Sequence, residues 1–278
     1  MNRRGLLSAI GASLYMLPSW SAWSLPEDDV VQLGTLPPLP SDLATNAADP
    51  PAPYEEVGVV GTARPSRDEI DMAYEILLES PWGKNVRPID VAFYFLSVAN
   101  GAYGEAWRPF AREWPIRANP VIFHFFSSTQ TKPEGDTTAW CAAFLNWCIL
   151  RSRANSRDQI GTSPGDFSKP GTAFDPEAIK SFTTFNASSG SFRCWKENTI
   201  PQRGDIAVFA NKGTEELTAA CRGQGHVAFV INVPRSGWVR VIGGNQSSPG
   251  SSGAVTVSDM RTGSDGRFMK FVSLKGEA

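Results

Sequence analysis

The chain has 278 residues, of which 41% are hydrophobic, and its formal net charge is −2 at pH 7. This length and apolar share suffice for a sizeable hydrophobic core. Its 26 basic residues are balanced by 28 acidic ones, so the chain lacks the basic excess of nucleic-acid-binding proteins. Only two histidines, His124 and His226, are present, which leaves little to build a histidine-based metal site. Phosphate-binding loops, dinucleotide-binding glycine patterns and zinc-ligand spacings are also absent, so we expect no cofactor and no metal.

Residues 1–24 have the pattern of an export signal. A short basic start with Arg3-Arg4 precedes an apolar stretch over residues 5–17, and Ala22-Trp23-Ser24 fits a cleavage site. The apolar stretch is shorter than the roughly 20 residues of a membrane-spanning helix. We therefore expect a periplasmic or secreted protein with no stable membrane insertion after cleavage. The arginine pair also resembles a twin-arginine signal, so both export routes stay open; the alternative is a buried N-terminal helix.

Residues 25–65 are predicted to form a proline-rich linker, because proline removes backbone donors and favours extended conformations. The folded part is predicted to begin with a helical N-terminal segment, residues 66–118. Its first helix starts at a capping box, Ser66-Arg67-Asp68-Glu69. Its second helix has Pro88 in the first turn and stops at Asn100-Gly101.

The remaining residues, 119–278, are predicted to contain helices followed by strands. In the helix predicted over residues 138–151, Asn146 is the only polar residue between Thr138 and the helix end, so we expect this helix to be buried centrally. A further helix is predicted over residues 175–185. Five short strands with alternating apolar residues follow, at 205–210, 226–233, 237–242, 254–258 and 268–274. Helices first and strands second indicate an α+β fold with an antiparallel sheet.

Cys141 is the candidate nucleophile because it is predicted in the first turn of the central helix. The helix dipole and the unpaired N–H groups there stabilise a thiolate by roughly 0.3–2 kcal/mol. One pKa unit corresponds to about 1.36 kcal/mol, so the helix alone leaves much of a thiol with a pKa of about 8.5 protonated at neutral pH. The nucleophile hypothesis therefore requires a histidine. The alternative is a small buried core residue.

His226 and Asn245 are predicted to face each other across a hairpin. If its two strands join through a turn at Arg235-Ser236, these residues are directly opposed, with Cβ atoms about 4.5–5.5 Å apart. Asn245 would then accept a hydrogen bond from one imidazole nitrogen and hold the other towards the thiol. A β-bulge at Gly243-Gly244 would break this pairing. The alternatives are a loop histidine and a turn asparagine.

The other histidine and cysteines have weaker cases for chemistry. His124 lies in an aromatic run over residues 123–126 that is expected in the core. Cys148 lies about 10.5 Å along the helix axis from the candidate nucleophile at about 1.5 Å rise per residue, too far for a disulfide. Cys194 and Cys221 lie in predicted loops, and in an oxidising compartment they either pair or stay free.

Four segments follow one another in the chain: TAWCAAFLNWC at 138–148, GDIAVF at 204–209, GHVAFV at 225–230 and GGNQ at 243–246. Together they resemble the CHAP-type and NlpC-type cell-wall cysteine peptidases, a papain-like superfamily of bacterial peptidoglycan hydrolases. The likeness covers about residues 119–274. It implies a nucleophile helix packed on an antiparallel sheet, with residues 119–278 forming the hydrolase domain. The preceding helices have no counterpart and either shape a cleft or serve a partner.

The resemblance implies that Cys141 is the nucleophile, His226 the base and then the acid, and Asn245 the residue that orients it. It also implies cleavage of amide bonds in peptidoglycan, with the stem peptide as substrate and no metal. We weigh two alternatives on the same fold: a non-catalytic module that binds cell-wall peptides or a partner, and acyl transfer to an acceptor other than water. The bond that is cut, the second oxyanion donor and the oligomeric state stay open.

Overall fold

The computed structural model describes residues 63–114, 116–135, 138–164, 171–211, 221, 223–248, 251–263 and 267–275. The predicted export signal, residues 1–24, and the linker up to residue 62 lie outside the described residues. All the described residues belong to one compact unit. Within them, no helix is both long and apolar enough to cross a bilayer.

The described helices precede the strands, as the sequence predicts. They are α1 (Arg67–Glu79), α2 (Pro88–Ala99), α3 (Pro120–Phe125), α4 (Cys141–Ser152) and α5 (Pro176–Phe182), with 3₁₀ segments at Glu105–Ala111, Phe126–Ser128 and Ser189–Cys194. The strands are β1 (Ile206–Ala210), β2 (Gly225–Arg235), β3 (Trp238–Ser248), β4 (Ser251–Arg261) and β5 (Phe268–Val272). They form an antiparallel sheet in the order β4-β3-β2-β1-β5. The α+β prediction is confirmed.

Local sequence signals account for the ends of the first helices. The Ser66 hydroxyl accepts a hydrogen bond from the N–H of Glu69 at 3.3 Å, and the Glu69 carboxylate accepts one from the N–H of Ser66 at 2.6 Å. Pro88 occupies the first turn of α2. Helix α3 is absent from the sequence prediction, because six residues are too few to reveal a helical period. Its start is nevertheless encoded locally: the Asn119 side chain accepts from the N–H of Val121 at 2.9 Å.

Helix α4 is the centre of the core. All its residues are buried, and it packs against α2 on one side and against β2 and β3 on the other. It begins at Cys141, three residues later than predicted, because Thr138 closes a preceding turn. There the N–H of Thr138 donates to the carbonyl of Gly135 at 3.1 Å, and its hydroxyl accepts from the N–H of Glu134 at 3.1 Å. The thiol of Cys141 is therefore at the first position of the helix.

The N-terminal helices share this core with the sheet. The ring of Phe95 on α2 contacts Phe144 and Trp147 on α4, with ring centroids 5.9 and 5.7 Å apart. After the 3₁₀ segment Glu105–Ala111, Arg112 forms a bridge with Ala254 of β4. The segment that precedes α3 therefore reaches the edge strand of the sheet.

The hairpin of β2 and β3 has the predicted register at Val230 and Val241, although its turn lies at different residues from those predicted. Its turn lies at Ser236-Gly237, with Arg235 opposite Trp238, one residue beyond the predicted turn. Two irregularities then each add one residue on β2. Where Val230 pairs with Val241, the strands are in the predicted register. The predicted turn was wrong, and two bulges compensate for the shift.

The pairing of the loop cysteines, which the sequence leaves open, is a disulfide between Cys194 and Cys221, with Cα atoms 5.3 Å apart. It joins the end of the 3₁₀ segment Ser189–Cys194 to the chain that enters β2. Both cysteines are exposed, so the bridge contributes a covalent constraint rather than core packing.

We expect the double variant Cys194→Ala/Cys221→Ala to lose about 3.5 kcal/mol of unfolding free energy, because the disulfide closes a loop with a sequence separation of 27 residues. Urea denaturation of the wild type and the variant measures the loss. Dithiothreitol should destabilise the wild type by a similar amount and leave the double variant unchanged. A wild-type midpoint that is insensitive to the reductant would contradict the assignment.

Candidate active site

The sulfur of Cys141 lies where the first turn of α4 meets strand β2. It accepts hydrogen bonds from the backbone N–H of Val227 on β2 and from the N–H groups of Cys141 and Ala142. Trp140, the residue at the N-cap position, offers no side-chain cap, so the thiol occupies the place of a capping group. The side chain of Cys141 is only 3% exposed.

Burial dominates the protonation of this thiol. Removal from water raises the pKa of Cys141 above its ordinary value, and the three N–H donors lower that pKa by less. The N–H groups at the helix start lower the thiol pKa, as the sequence predicts, but burial, which the sequence does not reveal, outweighs them. Because desolvation penalises the charged form, the resting thiol is protonated at neutral pH.

His226 lies at the start of β2, next to the residue that contacts the sulfur. It pairs with Phe209 of β1, and its neighbour Val227 donates to Cys141. Burial lowers the pKa of His226 to about 4, the charge of Arg267 lowers it further, and a hydrogen bond with the Gln246 side chain opposes both. The ring is thus neutral at pH 7. Its Nε2 atom is buried and has no hydrogen-bond partner among the described residues, so the ring can accept a proton.

Gln246 on β3 is the side chain that hydrogen-bonds His226. It is 5% exposed, and its amide nitrogen donates to the carbonyls of Gly243 at 3.1 Å and Thr256 at 2.6 Å. These two bonds use both amide hydrogens. The amide oxygen is then the atom left to accept a hydrogen bond from the imidazole. The two sheet carbonyls therefore determine the orientation of the Gln246 amide.

A bulge determines which residue reaches His226. Relative to β4, strand β3 carries one extra residue between Gly243 and Gln246, and Asn245 adopts a left-handed backbone with φ 56°. The pairing of β2 with β3 ends at Phe229 and Ile242, before the bulge. The sequence marks this point as the one where a bulge would break the hairpin register.

The side chain of Asn245 turns towards the nucleophile helix. With its amide assigned the orientation that satisfies both neighbours, its oxygen accepts from the backbone N–H of Trp140 at 3.2 Å, and its nitrogen donates to Glu113 Oε1 at 3.1 Å. Asn245 therefore contacts Trp140, the residue directly before Cys141. The assignment of Asn245 as the orienting partner of His226 stays a prediction, and Gln246 enters as a second candidate.

The other histidine and the other free cysteine, His124 and Cys148, are buried in the core. His124 is buried, its Nε2 lies 3.0 Å from the carbonyl oxygen of Ile160, and burial lowers its pKa to about 4. Cys148 is a free buried cysteine whose pKa burial raises well above the ordinary value. The predicted core position of His124 and the predicted burial of the helix that carries Cys148 are confirmed. Across the part of the chain that the structure describes, no cluster of histidine, cysteine and acidic residues could hold a metal ion.

The region around α4 is similar to a known protein family. The CHAP domain family matches residues 133–245. The chain contains a CHAP domain. This is an amidase/peptidase domain of the papain-like superfamily, so the resemblance seen in the sequence is confirmed. No curated protein and no solved structure matches the chain. The matched residues include Cys141, His226 and Asn245, whereas Glu113 and Gln246 lie outside them.

The contacts of these two outer residues are not apparent from the sequence, for different reasons. Gln246 belongs to the GGNQ segment, and the adjacent glycine pair signals the bulge that brings it to the histidine. Glu113 carries no local signal, because its partners Trp140 and Asn245 are distant in the chain and meet it only in the folded protein.

We expect the rate at which iodoacetamide alkylates Cys141 to keep rising above about pH 8.5, because burial raises the pKa of this thiol above that ordinary value. Mass spectrometry of the Cys141 peptide after timed exposure measures the rate, and the Cys148 peptide serves as the internal reference. A rate that is constant from about pH 6 upwards would reveal a resting thiolate and contradict the prediction.

Proposed function

We propose that this protein is an exported peptidoglycan hydrolase that cleaves amide bonds of the cell-wall peptide with Cys141 as nucleophile and His226 as base. A CHAP domain implies a peptidoglycan hydrolase of amidase or peptidase type. The observation that supports the assignment of residues is the hydrogen bond from the N–H of Val227 to the Cys141 sulfur, which brings the thiol against the neighbour of His226.

The neutral state of both groups determines the proposed order of events. As the sulfur attacks the amide carbonyl carbon, the neutral imidazole of His226 takes the thiol proton, because burial disfavours a separate thiolate and imidazolium. The N–H of Cys141 at the start of α4 stabilises the oxyanion. The imidazolium then gives its proton to the leaving amine as the C–N bond breaks, which leaves a thioester.

Water completes the proposed cycle. His226 accepts a proton from the water as its oxygen attacks the thioester carbonyl carbon. The C–S bond then breaks, the peptide leaves with a new carboxyl group, and the proton returns to the Cys141 sulfur. An acceptor other than water would convert the same acyl-enzyme into a transferase, and the identity of the products distinguishes the two.

Two neighbouring side chains, Gln246 and Asn245, are candidates for the residue that orients the proposed catalytic pair. Gln246 hydrogen-bonds His226 and is held by the carbonyls of Gly243 and Thr256, so we assign it the task of orienting the imidazole. Asn245, the residue that the family resemblance suggests for this task, instead has its hydrogen bonds on the nucleophile side. We therefore propose that each residue positions one member of the catalytic pair.

Export to the periplasm or the exterior is part of the proposal. The signal-like pattern of residues 1–24 supports it, and so does the disulfide between Cys194 and Cys221. Disulfides persist in oxidising compartments and are rare in the cytosol. Such a location also gives the enzyme access to peptidoglycan.

A second candidate is a CHAP module that binds cell-wall peptides without cleaving them. The observation that favours it is the burial of Cys141, whose side chain is 3% exposed and whose thiol pKa is raised. A substrate carbonyl must reach this sulfur for catalysis, so turnover by the wild type excludes a purely binding role.

We expect Cys141→Ala to abolish release of new amino groups from purified sacculi, because it removes the attacking sulfur. Amine labelling measures the rate, and mass spectrometry of the released muropeptides identifies the bond that is cut. Cys148→Ala is the matched control, since it removes a second buried thiol from the same helix and should retain activity. Wild-type rates in Cys141→Ala would refute the nucleophile assignment.

We expect Gln246→Ala to lower kcat by up to about 100-fold with little change in KM, because a misoriented imidazole impairs proton transfer and leaves substrate binding intact. Steady-state kinetics on a soluble muropeptide measure both constants. Urea denaturation of the same preparation establishes that the variant is folded. Unchanged kcat in a folded variant would assign the orientation of His226 to another group.

A further inference from the structure

Glu113, which lies outside the matched CHAP domain, places a carboxyl group against Trp140, the residue directly before the candidate nucleophile. It follows the 3₁₀ segment Glu105–Ala111, and its backbone N–H donates to the carbonyl of Gly253 at 2.9 Å. The adjacent Arg112 bridges to Ala254. Burial raises the pKa of the Glu113 carboxyl, and a hydrogen bond from Trp140 opposes that rise. The position of this side chain is therefore anchored on the edge strand β4.

One oxygen of this carboxyl group holds two side chains. Glu113 Oε1 accepts from the indole nitrogen of Trp140 at 3.0 Å and from the amide nitrogen of Asn245 at 3.1 Å. The oxygen of Asn245 in turn accepts from the backbone N–H of Trp140 at 3.2 Å. An ionised carboxylate only accepts hydrogen bonds, so it determines which way the amide of Asn245 points.

Two glycines make room for this arrangement. Gly253 has a left-handed backbone with φ +62°, and a Cβ there would overlap the carboxyl group of Glu113. A Cβ at Gly244 would overlap the ring of Trp140. Both strands that flank the carboxyl and the indole are thus shaped to admit them. The close packing also explains how a single carboxyl oxygen can bind both the indole and the amide.

We propose that Glu113 is a positioning residue of the active site, supplied by the helical segment that precedes the CHAP domain. It binds the indole of Trp140 directly, and it also binds Asn245, which accepts a hydrogen bond from the backbone N–H of Trp140. Both contacts hold Trp140, the residue directly before Cys141, at the start of α4. The proposal rests on the proposed role of Cys141 as nucleophile. It gives the N-terminal segment a task in catalysis that the CHAP domain match does not include.

The role requires a hydrogen-bond acceptor rather than a negative charge. Both contacts fall on Oε1, so the amide oxygen of Glu113→Gln can accept both of them. Glu113→Ala removes the acceptor and leaves the indole and the Asn245 amide without it. Asn245→Ala removes the side chain that joins Glu113 to the backbone N–H of Trp140. The effects of the two alanine substitutions on kcat should therefore not be additive.

The test measures kcat and KM on a soluble muropeptide for Glu113→Ala, Glu113→Gln, Asn245→Ala and the double alanine variant. The matched control is Glu105→Ala, which removes an exposed glutamate of the same segment that pairs with Arg108. We expect Glu113→Ala to lower kcat by up to about 100-fold with KM nearly unchanged, Glu113→Gln to stay within about threefold of the wild type, and the double variant to resemble Glu113→Ala alone.

The rate of Cys141 alkylation by iodoacetamide provides a readout that needs no turnover. It should change in Glu113→Ala and return towards the wild-type rate in Glu113→Gln. Loss of activity in Glu113→Gln equal to that in Glu113→Ala would overturn the positioning role in favour of a reacting carboxyl group. Unchanged kcat and alkylation in folded Glu113→Ala would also overturn it. An inactive wild type would refute the proposed function, while the alkylation rates would still decide the role of Glu113.

Discussion

The contact between the first turn of α4 and strand β2 is the interaction on which the site depends. Helix α4 is buried along its whole length, and this burial forces its N-terminal residue against the sheet. The N–H of Val227 then donates to the Cys141 sulfur, and His226 is the residue directly before Val227 on the strand. The hydrophobic packing of one helix therefore sets the position of both members of the proposed catalytic pair.

The same burial has a chemical consequence. It raises the pKa of the Cys141 thiol and lowers the pKa of His226 to about 4, so the pair rests in its uncharged form. A neutral pair is compatible with a densely packed core, because no isolated charge is left without solvation. Under the proposed mechanism, charge develops only as the substrate is attacked, next to the N–H groups at the start of α4 that already contact the sulfur.

The site extends beyond the matched CHAP domain on both sides in sequence. Glu113 precedes the match and binds Trp140 and Asn245, while Gln246 follows it and binds His226. The N-terminal helices also share the core with α4 through the ring of Phe95. They are consequently part of the structure that supports the site, whatever further role they have towards a partner or a substrate cleft.

The sequence by itself determined the α+β class and the buried central helix with Cys141 in its first turn, because these follow from hydrophobic period and from the order of helices and strands. It misplaced the turn of the β2–β3 hairpin, because the two bulges of β2 carry no local signal. Only the tertiary structure decided the disulfide, the protonation of the thiol and the contacts of Glu113 and Gln246. These depend on desolvation, on a bulge at Asn245 and on side chains distant in the chain. Local sequence patterns do not encode these contacts and protonation states, since each arises only when separate elements pack together.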